Sequence, residues 1–173
     1  MSFQREDIEA IVTEVLSKMR SAPSNDSGGQ AAGDWGVFEQ LEDAVAAAEN
    51  AYKSISTVAI REKIIKVIRR AARANARRLA EMAVDETGMG RIEDKVKKNL
   101  LVAERTPGQD AIFPAAISGD TGLTLIENAP WGVIASVTPS TNPGATVINN
   151  SISMIAGGNA VVFAPHPAAK RVT

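Results

Sequence analysis

The sequence predicts an α/β protein in which helices precede a β-hairpin and one βαβ unit. Three observations support this fold class. Residues 35–105 repeat apolar side chains at helical spacing, residues 112–128 alternate with a period of two in places, and residues 131–170 change from strand to loop, helix and strand. Because two parallel strands do not complete a doubly wound sheet, we expect the fold of this chain to be incomplete.

Composition limits the classes of protein to be considered. Hydrophobic residues make up 45% of the 173 residues, which is enough for a sizeable core, and a net charge of −1 argues against general attraction to nucleic acid or anionic membranes. No apolar stretch has the length of a membrane helix or the form of a signal peptide, so we expect a soluble intracellular protein. With no cysteine and one histidine, His166, the sequence excludes disulfides, and a metal site is not expected.

Residues 1–20 are predicted to form an amphipathic helix that docks to a partner. Its apolar residues recur at i, i+3, i+4 and i+7 spacing: Ile8, Ile11, Val12, Val15, Leu16 and Met19. Residues 21–34, rich in Gly, Ser, Pro and Asp, are typical of a flexible linker. Since the linker fixes no internal partner for the stripe, we expect docking into another protein's groove. The alternative is folding back onto its own domain or pairing in an oligomer.

Three helices are predicted in the domain that begins at Trp35. The first covers Val37–Lys53, the second about residues 58–86 with Ser56 or Thr57 as its cap and Gly88 past its end, and the third residues 92–105. The residues expected to face inward are Ile60, Ile64, Val67, Ala71, Leu79, Met82, Leu100, Leu101 and Val102. The arginines and lysines of the second helix fill the positions outside this stripe, so a solvated face is favoured over a nucleic-acid site.

A β-hairpin is predicted between residues 112 and 128. Two short strands are joined by a polar turn at residues 118–122 that contains Gly119 and Gly122. A two-stranded ribbon is marginally stable alone in water, so we expect this one to lie on another subunit.

The βαβ unit is predicted from the last third of the chain. Strand Gly132–Val137 is followed by helix Pro143–Ala156, with Asn142 as the predicted N-cap and Gly157-Gly158 as the stop signal, and then by strand Asn159–Ala164. The loops after the two strands should meet at the carboxyl edge of the sheet. Open α/β sheets bind ligands at that edge.

Three stretches carry a family resemblance: DETGMGRIEDKVKKN (85–99), APWGVIASVTPSTNP (129–143) and AGGNAVVFAPHPAAK (156–170). Together they are similar to the CoA-acylating branch of the aldehyde dehydrogenase superfamily, which includes propionaldehyde and acetaldehyde dehydrogenases of bacterial microcompartments. The resemblance extends from Trp35 to Thr173. Its most specific parts are residues 139–143 and 165–167. It implies an aldehyde-dehydrogenase-like fold with N-terminal helices, the first βαβ of a Rossmann-type parallel sheet and the hairpin as an oligomerisation arm.

The reaction implied by the resemblance converts propionaldehyde or acetaldehyde, coenzyme A (CoA) and NAD+ to acyl-CoA and NADH. A cysteine thiolate attacks the aldehyde, and CoA later attacks the acyl-enzyme thioester. Because these residues hold no cysteine, we expect the nucleophile and the catalytic domain to lie outside them, and the 173-residue piece alone to be inactive. The alternative is a non-catalytic nucleotide-binding or scaffold module that docks through its N-terminal helix.

Partners and location also follow from the resemblance. Residues 1–20 with their linker are similar to the encapsulation peptides that tether such enzymes to microcompartment shell or core proteins. The expected location is therefore the lumen of a bacterial microcompartment in the cytoplasm. The expected assembly is a homodimer or homotetramer of the full-length enzyme.

Site residues can be carried over position by position. In ordinary family members an asparagine that stabilises the oxyanion follows the strand-end proline by two positions. A gapless match places Thr141 there and Asn142 one later, so either side chain is a candidate, and N-capping is the alternative role for Asn142. NAD is expected to contact Thr138, Pro139, Ser140, Thr141, Ala164, Pro165, His166 and Pro167.

Two positions depart from the family pattern for NAD. The usual ribose-binding lysine falls at Ala164 and its acidic partner at Pro167, so the ribose must be held differently. The alternative for His166 is a solvent-facing turn residue.

Overall fold

Four helices come first in the computed structural model, which describes residues 36–173: α1 (Leu41–Ser54), α2 (Val58–Ala74), α3 (Ala76–Thr87) and α4 (Ile92–Arg105). They belong to a unit that spans Gln40–Thr173. The predicted docking helix, with its stripe from Ile8 to Met19, and the linker at 21–34 lie outside the described residues.

Helix α1 begins four residues later than predicted. Gln40 is extended (φ −107°, ψ 138°), and Glu42 and Asp43 lie in the first turn. Acidic side chains there interact favourably with the positive end of the helix dipole, which favours a start at Leu41 over one at Val37.

The long second helix of the prediction is two helices, because the chain turns at Asn75. This residue leaves helical geometry (φ −106°, ψ 8°), and its side-chain Nδ2 donates to the Ala71 carbonyl at 2.9 Å. An asparagine that bonds to local backbone competes with continuation of a helix. The predicted ends are confirmed: Thr57 Oγ1 accepts from the Ile60 N–H at 3.3 Å, and Gly88 is left-handed at φ 66°.

The inward face of α2 is rotated from the predicted one. Ile65 and Ala72 are buried and Ile68 packs against them, whereas Ile60 and Ala71 are exposed. On α4, Leu101 is 58% exposed, so its predicted inward position is also wrong. The cause is that apolar residues occur on more than one side of each helix, and packing against other helices decides which side is buried.

The hairpin is confirmed as β1 (Ala115–Gly119) and β2 (Gly122–Ile126). The strands are antiparallel, Ala115 pairs with Ile126, and a two-residue turn at 120–121 joins them. Every residue of both strands is exposed. Its function as an oligomerisation arm stays a prediction.

The βαβ unit is confirmed as β3 (Val133–Val137), α5 (Pro143–Ala156) and β4 (Ala160–Ala164). The strands are parallel, with a register from Val133–Ala160 to Val137–Ala164. The buried Asn159 fixes the start of both strands, because its Oδ1 accepts from the N–H groups of Trp131 at 2.6 Å and Gly132 at 3.1 Å.

The core lies where α2, α4 and α5 meet. Its buried members are Ile65, Ala72, Ala103, Ile148, Ile152 and Ala156. Helices α1 and α5 both pack against β4. No helix in residues 36–173 has the length and apolar character needed to cross a membrane.

Candidate functional site

The two strand-end loops, residues 138–142 and 164–167, lie side by side as predicted. Thr138 donates its backbone N–H to the Ala164 carbonyl at 3.0 Å, and its Oγ1 lies 3.4 Å from the same oxygen. The Thr138 residue is 1% exposed. Its hydroxyl is therefore directed to the neighbouring loop, and Thr138 holds the two loops together.

Helix α5 begins directly after the first loop. Pro143, Gly144 and Ala145 in its first turn are buried, and the Asn142 carbonyl accepts the Thr146 N–H at 3.0 Å. Asn142 is the N-cap residue, as predicted, but its side chain makes no capping hydrogen bond. The start of the helix carries the positive end of the helix dipole, which favours a negatively charged oxygen nearby.

Two lysines of α4 contact consecutive residues of this loop. Lys95 Nζ donates to the Thr141 carbonyl at 2.9 Å, and Lys98 Nζ donates to Asn142 Oδ1 at 2.7 Å. The second contact explains why the Asn142 side chain makes no capping bond: its oxygen binds a charged donor, and such bonds are stronger than neutral ones. Sequence reasoning missed both lysines, because they are more than 40 residues away from the loop.

Lys95 is buried among the site residues. Loss of water contact, and then the nearby positive charge of Lys98, lower the pKa of Lys95 below its ordinary value. A lysine whose pKa is lowered on folding is destabilising while it is protonated.

The stability contributed by Lys95 is expected to rise with pH. The ordinary pKa of a lysine, 10.5, applies to the unfolded chain. At pH values between the pKa of Lys95 in the folded protein and 10.5, the unfolded chain holds a proton that the folded chain has released, so the free energy of unfolding increases with pH. Denaturant unfolding of wild type and Lys95→Met at several pH values up to 10.5 measures the difference. A difference that is flat or that falls over this range would contradict the expectation.

Thr141 and Asn142, the two candidate oxyanion donors, differ in their surroundings. Thr141 is exposed, and its Oγ1 lies 3.4 Å from Asn142 Nδ2. Asn142 is half-buried at the start of α5, and its carbonyl and side-chain oxygens both have partners. The asparagine therefore has the better-defined position.

His166 lies in the second loop and is exposed. Its Nδ1 accepts the Ala168 N–H at 3.1 Å and caps a short 3-10 turn, Pro167–Ala169. An imidazole that accepts through Nδ1 carries its proton on Nε2. His166 is therefore a solvent-facing turn residue, which was the alternative predicted for it. Its Nε2–H is also a hydrogen-bond donor at the loop surface.

The other cofactor-contact candidates have few polar side-chain groups. Pro139, Ala164, Pro165 and Pro167 are exposed, and Ser140 is half-buried. The loop surface is therefore mostly apolar, with hydroxyl, imidazole and backbone groups as its polar elements.

Sequence reasoning also missed a series of buried or half-buried polar side chains that are hydrogen-bonded to one another and connect the elements of the site. Thr106 Oγ1 contacts Asn149 Oδ1 at 3.1 Å, Asn149 Nδ2 contacts Asn150 Oδ1 at 3.1 Å, and Asn150 Nδ2 contacts Ser136 Oγ at 2.9 Å. These bonds join α4, α5 and β3. The adjacent asparagines in an apolar helix were the signal available in the sequence.

A parallel βαβ unit with joined strand-end loops is typical of nucleotide-binding α/β domains. Residues 34–173 match the aldehyde dehydrogenase family, and the chain belongs to this family. It is 62% identical to an acetaldehyde dehydrogenase (acetylating) of Bilophila wadsworthia, over 100% of this chain and 37% of the relative. The chain spans a little over a third of the length of these curated relatives, which include acetylating acetaldehyde dehydrogenases of Escherichia coli and Salmonella typhimurium.

Solved structures agree with this assignment. A propionaldehyde dehydrogenase from a fucose-utilisation microcompartment of Clostridium phytofermentans is 50% identical, with a TM-score of 0.77 over 79% of this chain and 32% of that one. A Rhodopseudomonas palustris propionaldehyde dehydrogenase with bound CoA and an acylated cysteine is 45% identical, with a TM-score of 0.76 over 79% and 32%. An engineered glycolyl-CoA reductase with bound NADP+ is 44% identical, with a TM-score of 0.77 over 83% and 33%.

Proposed function

We propose that the whole protein to which these residues belong is a CoA-acylating aldehyde dehydrogenase that converts a short-chain aldehyde, CoA and NAD+ to acyl-CoA, NADH and a proton. The observation that carries the proposal is the position of the Asn142 amide beside the start of α5, at the edge where the two strand-end loops join. An acetylating acetaldehyde dehydrogenase at 62% identity and a propionaldehyde dehydrogenase at 50% identity support the choice of substrates.

The first half of the reaction forms a bond between sulfur and the aldehyde carbon. A cysteine thiolate, supplied by residues outside these 173, attacks the carbonyl, and the carbonyl electron pair moves to oxygen. The Asn142 Nδ2–H donates to this oxyanion, assisted by the positive end of the α5 dipole. NAD+, when bound, is the acceptor of the hydride that leaves the same carbon and converts the adduct to a thioester.

The second half transfers the acyl group. The CoA thiolate attacks the thioester carbon, the oxyanion forms again at the same oxygen, and the bond to the enzyme sulfur breaks. Acyl-CoA leaves, and the cysteine thiolate is restored. The same donors therefore serve both halves.

The dinucleotide is proposed to lie on the two loops, against Pro139, Ser140, Thr141, Ala164, Pro165, His166 and Pro167, with the buried Thr138 beneath them. The loop surface fits such a ligand, because exposed proline and alanine side chains offer an apolar face and the Nε2–H of His166 offers a donor. Thr138 contributes through its support of the loops, since its hydroxyl is directed to Ala164. The proposed cofactor is NAD, and an NADP+-bound relative makes NADP the comparison to test.

Location and assembly are part of the proposal. Residues 1–20 form the docking segment and 21–34 the linker, which direct the enzyme into the lumen of a bacterial microcompartment, as the origin of one relative suggests. The hairpin pairs with a second copy in a homodimer or homotetramer. The exposed side chains of Ile117, Leu123 and Leu125 support this pairing. Apolar residues that face solvent on a two-stranded ribbon are stabilised when another protein surface buries them.

The whole protein is expected to produce NADH from propionaldehyde and acetaldehyde only when CoA is present, with one acyl-CoA formed per NADH. Absorbance of NADH and chromatography of acyl-CoA measure the two products, and NADP+ in place of NAD+ measures the cofactor preference. A variant without residues 1–20 is the control, since it should keep turnover and lose microcompartment localisation. A protein that binds nucleotide without turnover would instead be the scaffold module.

A further inference from the structure

We infer that Lys98 is a positioning residue that fixes the orientation of the Asn142 amide and thereby aims its N–H at the reacting oxygen. The inference rests on the proposed function, because it concerns the oxyanion donor of that reaction. It starts from the 2.7 Å contact between Lys98 Nζ and Asn142 Oδ1.

The backbone around Asn142 is already restrained from both sides. Its carbonyl accepts the Thr146 N–H, Pro143 follows with its fixed φ, and Lys95 binds the carbonyl of the preceding Thr141 at 2.9 Å. The freedom that remains lies in the two side-chain torsions of Asn142. Lys98 contacts the terminal oxygen and so restrains both.

The chemistry of the contact selects one of the two amide orientations. An ammonium group has three donors and no acceptor, so only Oδ1 of an asparagine can face it. Nδ2 then points away from Lys98, and its one contact in the described residues is a 3.4 Å approach to Thr141 Oγ1. At least one N–H of Nδ2 is therefore available to a substrate oxygen.

The positive charge also strengthens the donor. A cation at Oδ1 withdraws electron density from the amide, so Nδ2–H becomes a better donor, as in other polarised hydrogen-bond chains. Lys98 consequently acts on the reaction through Asn142. This distinguishes it from Lys97, which is exposed on the same helix and has no contact with the loop among the hydrogen bonds of the described residues.

Lys98→Met is expected to lower kcat of the whole protein by about 10- to 100-fold, since loss of orientation at a reacting centre has effects of this size. The KM values for aldehyde and CoA should change by less than about threefold, because ground-state contacts remain. Lys98→Arg should retain most of kcat, because it keeps a charged donor. Lys97→Met is the matched control and should behave as wild type.

A double-mutant cycle tests whether Lys98 acts through Asn142. In the Asn142→Ala background, Lys98→Met should cause no further loss of kcat, because the group that it orients is gone. Losses that multiply in the double variant would overturn the inference. Equal kcat for Lys98→Met and wild type would also overturn it and leave the proposed activity standing.

A second measurement does not depend on turnover. In the side-chain amide NMR spectrum, Lys98→Met should shift the Asn142 Nδ2 resonance and Lys97→Met should leave it in place. An unshifted resonance in Lys98→Met would overturn the inference even in a protein without CoA-dependent activity. Lack of that activity in wild type, with the expected shift present, would overturn the proposed function and leave only the orientation of the Asn142 amide by Lys98.

Discussion

Asn142→Ala is expected to lower kcat for CoA-dependent aldehyde oxidation by about 10²–10³-fold, the cost of removing one oxyanion donor in enzymes that form such intermediates. The side chain makes no capping bond to α5, so its removal should not weaken the helix start. It does remove the partner of Lys98 Nζ, but that contact is exposed and the lysine can be solvated instead. The effect should therefore appear in kcat, as measured by steady-state NADH production, with thermal unfolding little changed.

Thr141→Val is the matched comparison, because it removes the other candidate donor and keeps the shape of the side chain. The Thr141 carbonyl, which binds Lys95, is unaffected by this change. We expect a loss of less than about tenfold, since the Thr141 hydroxyl is exposed and less well positioned. A larger loss in Thr141→Val than in Asn142→Ala would assign the donor to the threonine hydroxyl.

Ile152→Ala is expected to lower the free energy of unfolding by about 2–5 kcal/mol, the usual cost of truncating a large core side chain. Ile152 is 0% exposed and belongs to the cluster in which α2, α4 and α5 meet. The space it leaves is lined by residues of three different helices, which limits local collapse. Denaturant unfolding of the two proteins measures the difference.

Leu101→Ala provides the control for this prediction. Leu101 is 58% exposed on α4, and leucine and alanine have similar helix propensity, so the change should cost less than about 1 kcal/mol. Equal losses in the two variants would mean that the packing of α5 on α2 and α4 contributes little to stability.

Local sequence signals were sufficient where a single short pattern determines the structure. The hairpin followed from alternation around Gly119 and Gly122, and α5 followed from Pro143, its apolar spacing and its glycine stop. In both cases the residues that specify the element are adjacent to the element itself. The carboxyl-edge placement of the two loops then followed from the general geometry of parallel βαβ units.

Contacts between distant residues account for what the sequence did not predict. The break at Asn75 comes from a local side-chain bond to Ala71, four residues earlier, but the buried face of α2 depends on which helices pack against it. Asn142 lies at the predicted N-cap position, but a distant contact explains why its side chain makes no capping bond. An amine 44 residues earlier binds the side-chain oxygen that capping would have used. Local spacing contains no information about such pairs.

The bond between Thr138 and Ala164 continues the strand ladder one residue past the end of β3, at the last residue of β4. This bond joins the loop that contains Asn142 to the loop that contains His166 where each loop leaves its strand. A displacement of one loop is therefore transmitted to the other. A ligand that immobilises the His166 side also reduces the entropy left to be lost on the Asn142 side. Under the proposed function, we therefore expect cofactor occupancy and the order of the oxyanion donor to be thermodynamically linked, with the dinucleotide binding before the aldehyde.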